Sequence, residues 1–265
     1  MSGDFLINLN PKYAIIEESA HVKTNVNNGK GVIFMTKLSS NSQGIHALFE
    51  QFGATLKIDK DRPVFLEGES AEDVYLIKTG TVRISKDTES GKILTLRITG
   101  DETFIGETSI FCDTLYHSVS ANAVESTHLL VLPRVTLEKY LSECSSLMME
   151  WIQIMQMHNL KNETRFRDLL LHGKKGALFS TLIRLTNTYG IKQEDGSILI
   201  NHAMTNQELA NFCATSREVV NRILNDLKQK EILSLDKGLI TIHDIQFLRT
   251  EVECDNCPLN VCRID

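Results

Sequence analysis

Near its C-terminus the chain reads ECDNCPLNVCRID, which places Cys254, Cys257 and Cys262 in a C-x2-C-x4-C run. Thiols at two- to four-residue spacing converge readily on one soft metal centre, such as zinc or an iron–sulfur cluster. A segment this short offers no core of its own, so the run reads as a ligand set rather than as packing residues. Three donors leave a tetrahedral zinc or a four-iron cluster one ligand short. The fourth must come from another part of the chain, and it would tie the tail to that part.

Composition narrows what such a site serves. The 265 residues are 42% hydrophobic and 23% charged, ordinary values for a soluble protein with room for about two cored domains. The N-terminus lacks the pattern of a secretory signal, and no run reaches the roughly 20 apolar residues that span a bilayer. The expected compartment is a reducing cytoplasm, with no membrane partner, so the six cysteines are not three disulfides. Cys112, Cys144 and Cys213 stand among apolar neighbours and read as small hydrophobes. A net charge of −6 excludes nucleic-acid binding by bulk electrostatics but leaves room for a local basic surface. Arg165, Arg167, Lys174, Lys175, Arg184 and Lys192 fall in a stretch with few acids, so the charge is unevenly distributed, although on its own such a run reads as a solvated face. No catalytic motif is visible, which argues against a redox enzyme or electron carrier.

The elements that must position these groups follow in order. Residues 1–43 carry Asn, Ser and Gly clusters with weak periodicity and read as a poorly ordered extension. From about 44 to 143, short alternating apolar segments at Val74–Ile77, Val82–Ile84, Ile93–Ile98 and His128–Leu132 are punctuated by Gly68, Gly80, Gly91, Gly100 and Gly106. This pattern predicts an antiparallel sandwich or barrel. Residues 144–172 predict one long helix with an apolar stripe through Leu147, Met148, Trp151, Ile152, Ile154, Met155, Leu160, Phe166, Leu169 and Leu170. Such a stripe must be buried, and a second copy of itself is the simplest partner.

Residues 173–250 carry the most specific pattern outside the tail. In TNQELANFCATSREVVNRILNDLKQKEIL, both Thr205-x-x-Glu208 and Thr215-x-x-Glu218 read as capping boxes, each predicting a helix start. Leu209, Phe212, Val219, Val220, Ile223 and Leu227 form the seam between the two helices, with small Ala210 at their crossing. The following ILSLDKGLITIHD reads as a hairpin turning at Asp236-Lys237-Gly238. Two helices, a short turn and a hairpin describe a winged helix-turn-helix that binds double-stranded DNA. Ser216, Arg217, Glu218 and Arg222 lie off the seam. Arg reads guanine O6 and N7, and Glu accepts from cytosine N4.

At this point FLEGESAEDVYLIKTGTVRIS, DETFIGETSIF and SREVVNRIL, in this order and spacing, resemble the CRP/FNR family of bacterial transcription regulators over roughly residues 46–250. The resemblance implies an α+β fold: an N-terminal antiparallel β-roll like a cyclic-nucleotide-binding domain, a long dimerisation helix, and a C-terminal winged helix-turn-helix. It also implies a homodimer on palindromic DNA and contact with RNA polymerase. Cyclic-AMP-binding members follow Gly-Glu with an Arg-Ser pair that holds the phosphate. Here Gly106-Glu107 is followed by His117-Ser118 instead, so the phosphate clamp is missing and cAMP is not the expected effector. The three Arg217, Glu218 and Arg222 positions match the CRP-like pattern, which implies a TGTGA-type half-site.

Fnr proteins with N-terminal cluster cysteines are excluded, because no cysteine precedes Cys112. The chain resembles instead the Fnr branch of bacilli, in which a C-terminal extension, here 251–265, carries the cluster cysteines. That resemblance implies a [4Fe–4S] cluster on Cys254, Cys257 and Cys262, with Asp168 in RDLLLHGKKGAL as fourth ligand. Taken alone, Asp168 reads as an exposed helical carboxylate, and His158, His172 and Cys144 stay open as alternatives. The expected protein is an oxygen-responsive, anaerobic activator. The alternative is a CRP-like regulator with a structural Zn2+ on the tail.

Overall fold

The computed structural model describes residues 25–27, 30–32, 44–88, 91–113, 115–255 and 257–265. Most of the expected extension at 1–43 lies outside the described residues. Its described part is an antiparallel pair, β1 (Asn25–Asn27) with β2 (Lys30–Val32).

The alternating segments fold into two four-stranded antiparallel sheets. One has the order β3-β10-β5-β8, from Ala54–Ile58, Thr127–Pro133, Asp73–Thr79 and Phe104–Ile105. The other has the order β4-β9-β6-β7, from Pro63–Phe65, Ser120–Ala123, Val82–Asp87 and Ile93–Thr99. Side chains alternate across each strand. Tyr75, Ile77, Leu129 and Val131 therefore fill the space between the sheets with Phe65, Val82 and Ile84. Val74, Leu76, Leu130 and Leu132 point the other way, onto helices. Central strands β5 and β10 are apolar on both faces because both faces are covered.

Those helices are α1 (Gly44–Phe52), α2 (Arg134–Glu143) and the first turns of α3 (Ser145–Leu171). The predicted long helix is thus present at 27 residues, but its apolar stripe divides. Leu147 and Trp151 are buried against the roll of their own chain. Ile152, Leu160, Phe166 and Leu170 are exposed, Leu170 by 71%. Among the described residues no helix is long and apolar enough to cross a membrane.

The roll and α3 share a buried ion cluster. Glu107 is 7% exposed and accepts from Arg97 Nη2 at 2.7 Å, with His158 Nδ1 of α3 at 3.3 Å. The residue at the position where a phosphate-clamping Arg is expected, His117, is buried and stacks on Phe65 at 3.7 Å between centroids. Burial pushes its imidazole below the usual range.

After α3, Gly173 takes a left-handed conformation (φ +58) that starts α4 (Gly173–Tyr189) in a new direction. A Cβ on Gly176 would fall 2.0 Å from His172 Cβ, so only glycine permits this close turn. β11 (Gly190–Lys192), β12 (Ile198–Ile200), β13 (Leu233–Asp236) and β14 (Leu239–Ile242) form the sheet β11-β12-β14-β13. The wing turns at Lys237 (φ 48) and Gly238 (φ 83), positive at both central residues as a type I′ hairpin requires. α5 (Asn206–Phe212) packs on β7, and Ile98 of β7 joins the core of this second domain.

The Glu107 cluster yields a test. Burial alone would raise its carboxyl, but Arg97 and His158 outweigh this and hold it at about 2, against an ordinary 4.5. Its stabilisation is therefore complete above pH 4.5 and is lost as the pH falls through about 2. The shift corresponds to about 3 kcal/mol. Urea unfolding of Glu107→Gln should show a loss of about that size at neutral pH, with the gap to wild type closing in acid. A gap independent of pH would contradict the assignment.

Candidate functional site

Asp168 lies in the last turn of α3, and it is buried, 4% exposed, rather than an exposed helical carboxylate. The cause is α4, which crosses it with a matched cation. Arg184 Nη2 donates to Asp168 Oδ2 at 2.7 Å, and the Ser180 hydroxyl, one turn earlier on α4, donates to the same oxygen. Arg167 donates to Oδ1 from Nε at 3.1 Å and Nη2 at 2.9 Å. Arg184 is itself 4% exposed, flanked by Leu182, Ile183 and Leu185 of the buried face of α4, and a buried charge of that kind persists only when paired.

The tail is also packed, which corrects its reading as a coreless segment. α7 (Ile245–Glu251) leads into it, and Pro258 O accepts from the amides of Val261 and Cys262 at 2.9 Å each, forming a turn. Val261, Cys262 and Ile264 are buried, with Cys262 and Ile264 in the core of the second domain. Asn187 of α4 donates to Cys262 O at 2.8 Å, and Ile264 N donates to the Thr188 hydroxyl at 3.0 Å. From α3, Lys161 Nζ reaches Asp265 O at 2.8 Å, and Arg165 Nη2 reaches Ile264 O at 2.7 Å. Arg165 also donates to Leu96 O of β7, so one side chain links roll, long helix and tail. Burial lowers its guanidinium to about 9.

This packing brings Cys254, Cys257, Cys262 and Asp168 to the walls of one small cavity, together with Arg184 and Ser180. Burial pushes the Cys262 thiol up to about 11; Arg184 opposes the rise, and the nearby Cys257 and Cys254 thiols add to it. Among the described residues, no three His, Cys, Asp or Glu side chains stand in metal-coordinating geometry, and Asp168 is turned to its arginines. The donor set nonetheless suits a thiophilic metal: three thiols and a carboxylate line one cavity. Arg184 Nη1 is also buried there without a hydrogen-bond partner. The other fourth-ligand alternatives lie elsewhere. His158 belongs to the Glu107 cluster, Cys144 bonds Ser146 at the start of α3, and His172 caps its end. Cys213 is buried as expected, but Cys112 is exposed, because the turn after Ser109 carries it outward.

The DNA-reading helices form as expected with one shift. Thr205 and Glu208 make a reciprocal capping box on α5. The second box does not form. Ala214, at φ 46, moves the start of α6 (Arg217–Gln229) so that Ser216 is the cap, and the Thr215 hydroxyl is buried without a partner. Leu209, Phe212, Val220 and Leu227 are buried in the seam with Leu224, while Val219 and Ile223 are half-buried. Ser216, Arg217, Glu218 and Arg222 are exposed on one surface. The Glu218 carboxyl is lowered by its own backbone amide at the helix start and by the Ser216 hydroxyl, with Arg217 adding attraction.

Ser180 has no reading from sequence, and Arg165, Arg167 and Arg184 read there only as part of a basic, solvated run; Arg184 is instead buried against Asp168, and Arg165 anchors the tail. A signal existed for one of them: an arginine within the apolar run LFSTLIRL requires a buried partner.

A cyclic nucleotide-binding domain model matches residues 55–144, and a Crp-like helix-turn-helix model matches 177–251. The chain is 45% identical over 225 residues to an anaerobic regulatory protein of Bacillus subtilis, covering 84% of this chain and 94% of that one. It is 27% identical over 220 residues to a global nitrogen regulator of Synechocystis, covering 79% and 96%. The solved structure of FixK2 from Bradyrhizobium japonicum superposes with a TM-score of 0.63 at 20% identity, covering 75% of this chain and 96% of that one. The chain belongs to the CRP/FNR family of transcription regulators, with its β-roll and winged-helix architecture; its relatives are DNA-binding regulators, not enzymes.

Thiol alkylation checks the packed tail. In chelator-treated, reduced protein at about pH 8, exposed Cys112 should be modified first, with Cys262 and Cys213 slowest. Mass spectrometry showing Cys262 reacting as fast as Cys112 would contradict the packing.

Proposed function

We propose that this protein is an oxygen-responsive, anaerobic transcription regulator of the cytoplasm, working as a homodimer on palindromic TGTGA-type DNA. We further propose that a [4Fe–4S] cluster on Cys254, Cys257, Cys262 and Asp168 controls its DNA binding. The observation that carries this reading is the one cavity shared by the three tail thiols and a carboxylate of the long helix. The Bacillus subtilis relative, described as an anaerobic regulatory protein, supports the physiological direction. An iron–sulfur cluster supplies metal–ligand bonds that oxygen opens, and a carboxylate, harder than a thiolate, makes one of those bonds weaker.

The chain's own residues do the rest. Asp168 and Arg184 join α3 to α4, and the tail is pinned to both by Arg165, Lys161 and Asn187. α4 packs on α5, and α5 on α6, so a restraint on the tail is a restraint on the reading helix. The exposed Ile152, Leu160, Phe166 and Leu170 give a second copy an apolar stripe to pair with. Such pairing sets two reading helices about one helical turn of DNA apart. Cyclic AMP is not the proposed effector, because His117 is stacked in place and Glu107 is already neutralised. RNA polymerase is the further partner this role requires.

Anaerobic purification followed by iron, sulfide and zinc analysis is the first test, since a structural Zn2+ would use the same donors. Iron-loaded protein should bind the palindrome at least about tenfold more tightly than iron-free protein, about 1.4 kcal/mol; equal binding contradicts the proposal. Substituting Arg222 should cost about 1–3 kcal/mol at one G·C pair only. A uniform loss over all sequences would make Arg222 a phosphate contact instead.

A further inference from the structure

The hydrogen bonds of Asp168 fill its acceptor capacity. The two oxygens of a carboxylate offer about four lone-pair directions. Oδ1 takes two donors from the Arg167 guanidinium, and Oδ2 takes Arg184 Nη2 and the Ser180 hydroxyl. A metal bond to Asp168 therefore requires that one donor leave. The two arginines are unequal in this respect. Arg184 arises from the neighbouring helix, its side chain is 4% exposed, and among the described residues it forms a salt bridge with no other carboxylate. The Arg167 side chain is 27% exposed and has a second partner, Asp255, which sits in the tail between Cys254 and the residue before Cys257.

We propose that Arg167 is an internal competitor for Asp168. Its guanidinium and a metal ion take turns on Oδ1, and Asp255 keeps the arginine when Asp168 is released. No covalent bond of the chain changes: two N–H···O bonds to Oδ1 are given up and one metal–oxygen bond forms. Arg167 is a positioning residue, acting through Asp168, while Arg184 and Ser180 hold the other oxygen throughout. The inference rests on the reading of Asp168 as a ligand and adds what opposes that ligand. It accounts for a carboxylate in an otherwise thiolate site: Oδ2 stays with Arg184 and Ser180 while Oδ1 passes between arginine and metal, a division that a single thiolate sulfur could not make.

Cobalt(II) is a suitable probe, because its thiolate charge-transfer and d–d absorption report ligand set and affinity without iron–sulfur assembly. The full-length, reduced, iron-free protein would be titrated under nitrogen against a competing chelator. Arg167→Gln, and Arg167→Lys, which keeps the charge but loses the fork, should each bind cobalt about tenfold more tightly than wild type. The gain should vanish in an Asp168→Ala background. Unchanged or weaker binding by the Arg167 variants, with Asp168→Ala weaker than wild type, overturns the competitor role and leaves the ligand reading standing. A gain that persists in Asp168→Ala also overturns it, as a bulk charge effect. If Asp168→Ala binds cobalt like wild type, the ligand reading itself fails and takes this inference with it.

Discussion

A carboxylate on the long helix and a guanidinium on the next one, each 4% exposed, hold the junction on which the second domain hangs. Neither charge is tolerated alone at that depth: removing one partner of such a pair costs about 3–5 kcal/mol, largely because the other is left buried and unpaired. Asp168 and Arg184 thereby fix the angle between α3 and α4 more narrowly than apolar contact would. The left-handed Gly173 and the close approach at Gly176 permit the turn, and the ion pair selects one geometry within it. Every element of the winged helix lies downstream of that choice.

The same carboxylate faces the three tail thiols across one cavity, so the structural tie and the proposed ligand are a single group. This economy has a consequence for coupling. A site that bound metal with tail residues alone would reach α3 and α4 only through the hydrogen bonds of Arg165, Lys161 and Asn187. One that draws on Asp168 also frees Arg167 from the carboxylate that Arg184 holds, so ligand set and junction share one group, the kind of differential contact a switch requires. Arg165 extends the connection by bonding tail carbonyls and a carbonyl of the roll at once. The Arg97–Glu107–His158 cluster fastens the middle of α3 to the roll, with no bound small molecule needed to neutralise Glu107.

Much of this was legible in the sequence because it is written in local patterns. The short apolar runs of β5, β6, β7 and β10, the Thr205–Glu208 box, the seam of α5 and α6 and the Lys237-Gly238 turn each depend on neighbours a few residues away. Apart from the helix cap, whose cause is local, the failures involve contacts distant in sequence. The helix cap fell at Ser216 because Ala214 adopts a left-handed backbone that no residue preference announces. Helix α1 is short and acquires its order from packing on the roll. The tail is anchored by Asn187, Lys161 and Arg165, about 75 to 104 residues away, so nothing within it reveals a core. Asp168 read as one helical acid of 34 until α4 placed Arg184 against it.

The claim at the centre is that Asp168 connects the tail thiols to the DNA-reading domain. It is tested most directly by measuring the palindromic-DNA affinity of Asp168→Ala under anaerobic, iron-replete conditions, with circular dichroism confirming that the variant is folded. The account predicts a folded protein whose affinity falls to that of iron-free wild type. A folded Asp168→Ala that binds the palindrome as tightly as iron-loaded wild type would contradict it.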